Sequence, residues 1–396
     1  MASPLSPGEP CSRSNFRYSE LIPNSNTESC HTRHKLRAVY HTLEDLLAAT
    51  KRFPDENCAR EVESRIRYHA KPRGSLGRLE ALAIQLAGVQ RSTKPAVKPR
   101  LVQMFCSDHG VSSEKVSIFA PETTISVAKA ALAGCAGINA FAKTVGCDVE
   151  VIDVGMRRGN IDLRGVNNLA VREGTANIIY GPAMTREEAK LSIVSGANAH
   201  RSAVARGYKA TIIGEVGNSN TTAASALLSS LTGFAAEDVV GRGTGAEGVM
   251  LERKVSVVKQ ALRVNSPMID DPIDCLAKVG GFELGAMAGA AISAANCGVP
   301  CIVDGFISTI SALLALRLAP DIWPSLVFSH RSDEKGHKMV LDLLEVEPLL
   351  ALSLRLGEGT GGLACLPLLD LACSLIHGIS TFDEAGIDSP YKESSI

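Results

Sequence analysis

Aromatic side chains make up only 4% of the 396 residues, with a single tryptophan, which argues against a base-stacking platform or a β-sandwich core. Neither charge dominates: 41 Lys and Arg face 42 Asp and Glu, a net charge of −1, whereas nucleic-acid binders carry a basic face. The eleven cysteines include no C-x-x-C pair. Most lie in apolar runs, as Cys106 does in LVQMFC, where a thiol packs as a small hydrophobe, and the pattern points to a reducing, intracellular compartment. Neither G-x-x-x-x-G-K-[ST] nor G-x-S-x-G occurs, which removes the P-loop and the hydrolase elbow. The opening stretch MASPLSPGEPCSRSNFRYSE has no apolar core, so it is not read as a secretory signal. Arg13 and Arg17 are offset there by Glu9 and Glu20, so a cytoplasmic location is expected while an organellar address stays open. The most apolar stretch, residues 284–303, is broken by Asn296, Gly298 and Pro300. It reads as a buried helix running into a core strand, and no membrane span is expected.

What remains is a chain of ordinary globular composition, 45% apolar and 21% charged, with 35 glycines. Residues 1–36, rich in Ser, Pro and Asn, read as a disordered extension. Residues 37–95 have helical spacing and read as part of a small helical domain. From 96 to 345 short apolar runs at 101–106, 149–154, 210–214, 300–304 and 325–329 alternate with Ala-rich helical segments. Apolar strand, polar loop and helix in repetition predict an α/β fold, a mostly parallel sheet with helices on both faces. Ligands of such sheets bind at the carboxyl ends of the strands, where the loops SDHG, GEVGNSNTT, DGF and SHRSDEKGH fall. Residues 346–396 read as a segment returning to the small domain.

Two segments match G-x-G-x-x-G, at Gly243–Gly248 and Gly357–Gly362. Neither follows a clear strand, so they are weak dinucleotide fingerprints. Glycines still expose backbone N–H groups to an anion, and GEVGNSNTT, GRGTG and RLGEGTGG lie near Arg242, Lys254 and Arg355. A small phosphorylated ligand held by several loops is the expectation. Glu215 and Glu358 are embedded in those glycines, where partial desolvation would raise a carboxyl toward neutrality and suit it to general-base work. His330, Asp333, Glu334 and His337 in HRSDEKGH are residue types that hold metals, but their spacing matches no zinc pattern, and no metal is expected. Asp108-His109 reads as a strand-end cap before it reads as a base pair for a nucleophile.

Ten strings occur in order: KPRGSLGRLE, DHGV, VIDVGM, GTANIIYGPAMT, GEVGNSNTTAASAL, GRGTG, GGFELGAMAGA, VPCIVDGFI, HRSDEKGH and LRLGEGTGG. Together they resemble the nicotinate-nucleotide–dimethylbenzimidazole phosphoribosyltransferase family from about residue 70 to the end of the chain. The resemblance implies a Rossmann-like sheet, a smaller domain built from N- and C-terminal segments, and a homodimer. It implies transfer of phosphoribose from β-nicotinate mononucleotide to 5,6-dimethylbenzimidazole with inversion, giving α-ribazole 5′-phosphate and nicotinate without a cofactor. The family's catalytic base falls on Glu358 and its second active-site glutamate on Glu215. Its phosphate and ribose contacts fall on Gly217, Gly243, Thr244, Lys254, Ser332, Arg355 and Gly357, and Asn220 and Thr221 are expected to bind substrate beside them.

Two departures stand out. The family commonly reads G-E-M-G-I-G-N-T-T, and here Asn218 and Ser219 replace the Ile and second Gly. Downstream of DHGV the family has V-T-x-Q, and this chain has Thr123-Thr124-Ile125-Ser126. Because the missing Gln is expected to line the base pocket, two other readings stay open. One is a related transferase with another azole, a purine or a phenol as acceptor; the other is a non-catalytic nucleotide- or azole-binding relative.

Overall fold

The computed structural model describes residues 39–50 and 54–391, so the extension expected over residues 1–36 lies outside the described part. Six strands form one sheet: β1 (Arg100–Ser107), β2 (Asp148–Gly155), β3 (Asn167–Asn168), β4 (Ala210–Val216), β5 (Cys301–Val303) and β6 (Leu326–Phe328). Their order is β3-β2-β1-β4-β5-β6 and every pairing is parallel. The five runs read from the sequence are therefore strands. Only β3, two residues at the edge, has no counterpart in that reading. In this order the chain reverses direction of travel between β1 and β4, which opens a crevice at their carboxyl ends.

The sheet is buried on both sides, as unbroken apolar runs require; all eight residues of β1 are buried. Alternate side chains point to opposite faces. Val102, Met104 and Cys106 share a core with helices Glu56–Arg67, Arg78–Gln90 and Thr360–Gly378. Those three helices also pack on one another, bringing early and late parts of the chain together. The opposite face is covered by helix Phe282–Cys297, which packs on β1, β2, β4 and β5. Residues 284–303 are thus a helix buried almost all round, followed by a core strand.

Helix Phe282–Cys297 meets helix Arg186–Ala205 almost backbone to backbone. A Cβ on Gly289 would sit 1.8 Å from the Ile193 carbonyl oxygen, and one on Gly196 would sit 1.9 Å from that of Ala286. Such a contact cannot relax without moving a whole helix. Gly289→Ala should therefore overpack this seam and cost about 2 kcal/mol, read as a lowered midpoint in thermal or urea unfolding. An unchanged midpoint would show that the two helices yield at little cost.

Candidate active site

All eleven residues singled out from the sequence line one cavity of about 250 Å³ in the β1/β4 crevice. One part of it is built for an anion. Lys254, on helix Val249–Asn265, is 1% exposed. Its ammonium donates to Thr221 Oγ1 at 2.8 Å and to the Gly241 carbonyl at 3.1 Å, leaving a third N–H for a ligand. Burial draws its pKa down to about 8, with the negative charge of Glu334 pulling the other way. The Arg355 guanidinium donates to the Gly243 carbonyl at 3.2 Å. Gly243 itself has φ +56°, and a Cβ there would lie 2.8 Å from Thr221 Oγ1 and 3.0 Å from Lys254 Nζ. Only glycine lets this backbone come so close.

The other part is acidic. Glu215, at the end of β4, is 7% exposed, and Asn220 Nδ2 donates to its carboxylate. Burial holds its carboxyl well above the usual value, and the negative charges of Asp304, Glu283 and Glu358 add to the rise. Glu358 is 8% exposed. Its Oε2 accepts from the Ile138 N–H at 3.4 Å, at the start of helix Gly137–Val145. Burial raises Glu358 too; that N–H opposes the rise and Asp304 reinforces it. Glu358 adopts φ +62°, between Gly357 at +83° and Gly359 at +87°. A non-glycine residue in this region is held there at a cost of about 1 kcal/mol or more, and such strain collects at functional positions.

What holds the loop is Asp304, which follows β5 and is 2% exposed. Its carboxylate accepts from Gly359 N–H at 3.0 Å and Gly362 N–H at 2.9 Å, capping helix Thr360–Gly378. Burial pushes its pKa up to about 7 against those N–H groups. The loop lies flush on β4: the Glu358 N–H donates to the Glu215 carbonyl at 3.2 Å, and a Cβ on Gly214 would stand 2.6 Å from the Glu358 carbonyl carbon. Sequence reasoning passed over Asp304; its only local signal was an acid closing an apolar run.

Several other residues are placed differently from their motifs. Asp108 pins loops: Thr124 Oγ1 donates to it at 2.6 Å and the Arg157 N–H at 2.8 Å. His109 turns away to pair with Glu283 at 2.9 Å. Thr124 Oγ1, the Thr that this chain shares with the family's V-T-x-Q, in turn accepts from the Asn218 N–H at 3.0 Å. Ser219 takes φ +68° where the family has glycine. Ser126, at the position of the family's Gln, donates to the Glu122 carbonyl of its own helix at 3.0 Å and is exposed, whereas Thr123, Thr124 and Val127 line the cavity. His337 accepts from the Ser332 N–H at 2.9 Å on Nδ1, so its Nε2–H donates to Thr309 Oγ1 at 3.0 Å. Neither G-x-G-x-x-G segment follows a strand. The first leads into helix Val249–Asn265 and the second into helix Thr360–Gly378.

A parallel sheet whose crevice joins an anion cradle to buried carboxylates defines a site for group transfer on a phosphorylated ligand. A phosphoribosyltransferase family model matches residues 52–387. The chain is 40% identical over 339 residues to the nicotinate-nucleotide–dimethylbenzimidazole phosphoribosyltransferase of Halalkalibacterium halodurans, covering 86% of this chain and 95% of that one. Its counterpart in Pseudomonas fluorescens is 41% identical, with 84% and 95% covered. The crystal structure of CobT from Thermus thermophilus superposes with a TM-score of 0.80 at 40% identity, over 84% of this chain and 99% of that one. The chain belongs to the nicotinate-nucleotide–dimethylbenzimidazole phosphoribosyltransferase family.

Asp304→Asn sets an amide against one of the two N–H groups its carboxylate now receives. Leaving such a buried donor unmet should cost about 1–3 kcal/mol, read as a lower unfolding midpoint. Loss of the Asp304 charge removes one cause of the raised Glu358 pKa, so any activity that needs ionised Glu358 should persist to lower pH. An acid limb that stays in place would contradict that coupling.

Proposed function

We infer that this chain transfers phosphoribose from β-nicotinate mononucleotide to 5,6-dimethylbenzimidazole, with inversion at the anomeric carbon. The observation that carries the reading is Glu358: a buried, strained carboxylate on the wall of the cavity that also holds Lys254 and Gly243. The phosphate is received by Lys254, Arg355 and the N–H groups around Gly243 and Thr244, with Ser332 beside them. Asn220, Thr221, Gly217 and Gly357 shape the space around the ribose. One benzimidazole nitrogen attacks C1′, the C1′–N bond to the pyridinium breaks, and its electron pair leaves with nicotinate. The proton on the other benzimidazole nitrogen passes to Glu358. Glu215, within the same acidic cluster, favours the positive charge that develops on the sugar. Val116, Phe119, Val127, Ile307 and Leu356 supply apolar cavity surface for an aromatic acceptor. A homodimer working in the cytoplasm is part of this proposal.

Nicotinate release, followed chromatographically with both substrates present, tests the reading. Glu358→Gln should lower kcat by about 10²–10⁴-fold, the usual worth of a positioned base, and leave KM for the nucleotide within a few-fold. Equal kcat in the variant would remove Glu358 from the chemistry. The base acts when ionised, so kcat should fall as pH drops through its raised pKa. The acid limb therefore lies above the ordinary glutamate value of about 4.3, and a limb at or below that value would contradict the assignment.

A further inference from the structure

The anion end of the cavity contains an acid that the proposed reaction does not use. Glu334 precedes helix Lys335–Leu343, is 6% exposed, and lines the same cavity as Lys254 and Arg355. A Cβ on Gly241 would come within 2.1 Å of Glu334 Oε2, so the carboxylate rests against the glycine loop that flanks Lys254. Neither of its oxygens has a hydrogen-bond partner of good geometry among the described residues; the Gly243 N–H approaches and favours the ionised form without completing a bond. Every group that faces it matters for its charge. Helix Val249–Asn265 contributes Lys254, the segment before helix Thr360–Gly378 contributes Arg355, and Asp333 is its own neighbour. The Lys335 ammonium is turned away to the Glu237 carbonyl, and Arg242 is paired with Glu247 on the surface.

In the niche itself, two cations face one carboxylate. A phosphomonoester brings nearly two further negative charges at neutral pH. An ionised Glu334 beside it would be a like charge in a desolvated niche, and its two oxygens would meet phosphate oxygens that are acceptors only. We propose that Glu334 takes up a proton from solvent when a phosphomonoester enters, and binds it as a carboxylic acid whose O–H donates to a phosphate oxygen. The niche then balances: two cations against one dianion, with a donor where a repelling anion stood. Burial already biases the Glu334 carboxyl toward its neutral form. This deepens the nucleotide reading above and rests on it for the identity of the phosphorylated ligand.

The test is calorimetric titration at pH 7, above the second phosphate ionisation near 6 and below the Lys254 value of about 8, in two buffers of different ionisation enthalpy. Nicotinate mononucleotide and ribose 5-phosphate, which share the phosphate end, are the probes. Wild-type protein should take up close to one proton per ligand, and affinity should fall about tenfold per pH unit through this window. Glu334→Gln, which holds a neutral donor at that place, should show no uptake and an affinity independent of pH. A merely structural role predicts weaker binding at every pH instead. Lys254 titrates near 8, above this window, so uptake that survives in Glu334→Gln assigns the proton to the lysine and overturns the proposal. Binding without uptake in the wild type, or binding of neither probe, overturns it as well. Nicotinate release is scored separately, so failure of the transferase reading is distinguishable from failure of this one.

Discussion

Two backbone N–H groups, those of Gly359 and Gly362, end on the Asp304 carboxylate at 3.0 and 2.9 Å, and most of the site's geometry depends on that cap. It ties the end of β5 to the start of helix Thr360–Gly378. With Gly214 offering no side chain, the loop settles on β4 closely enough for Glu358 to bond the Glu215 carbonyl. The price is a glutamate in the left-handed region. A helix start also attracts negative charge through its unpaired N–H groups, which explains how Asp304 tolerates near-complete burial and how Glu358 sits at the start of helix Gly137–Val145. Asp304 and Glu358 are held by backbone N–H groups, whereas Glu215 is held by the Asn220 amide.

This leaves the cavity electrostatically uneven. Burial raises the Glu215 carboxyl and the charges of Asp304, Glu283 and Glu358 add to the rise, while the cations Lys254 and Arg355 stand in the other part of the cavity. A pyridinium nucleotide has the matching pattern: anionic phosphate at one end, cationic ring and a sugar that becomes positive at the other. When that ring departs neutral, the positive charge moves to the sugar and stays beside the carboxylates. Lowering a barrier requires the site to favour the transition state over the ground state, and in the proposed transfer the carboxylates face the positive charge that moves onto the sugar.

Much of this was legible in the chain itself. Five strands announced themselves because a doubly covered parallel sheet needs unbroken apolar runs, and the two-residue strand at Asn167 was silent because an edge that short needs none. Glu215 and Glu358 could be found because glycines surround them. Asp304 and Glu283 could not, since their significance lies in partners more than fifty and one hundred and seventy positions away in the chain. Glu334 was visible only as a metal-type residue in HRSDEKGH; folding placed it against Gly241 instead. Ser126 marks the limit of motif transfer: the residue at the family's Gln position bonds to its own helix, and Thr124 occupies the cavity wall.

The central claim is that donor sugar and acceptor ring are held on opposite faces of C1′, with Glu358 relieving the acceptor of its proton. Proton NMR of the product formed from β-nicotinate mononucleotide and 5,6-dimethylbenzimidazole tests it most directly through the anomeric signal. An α-configured glycoside is the result this account predicts; a β-configured product, or an anomeric mixture formed at the enzyme, would contradict it.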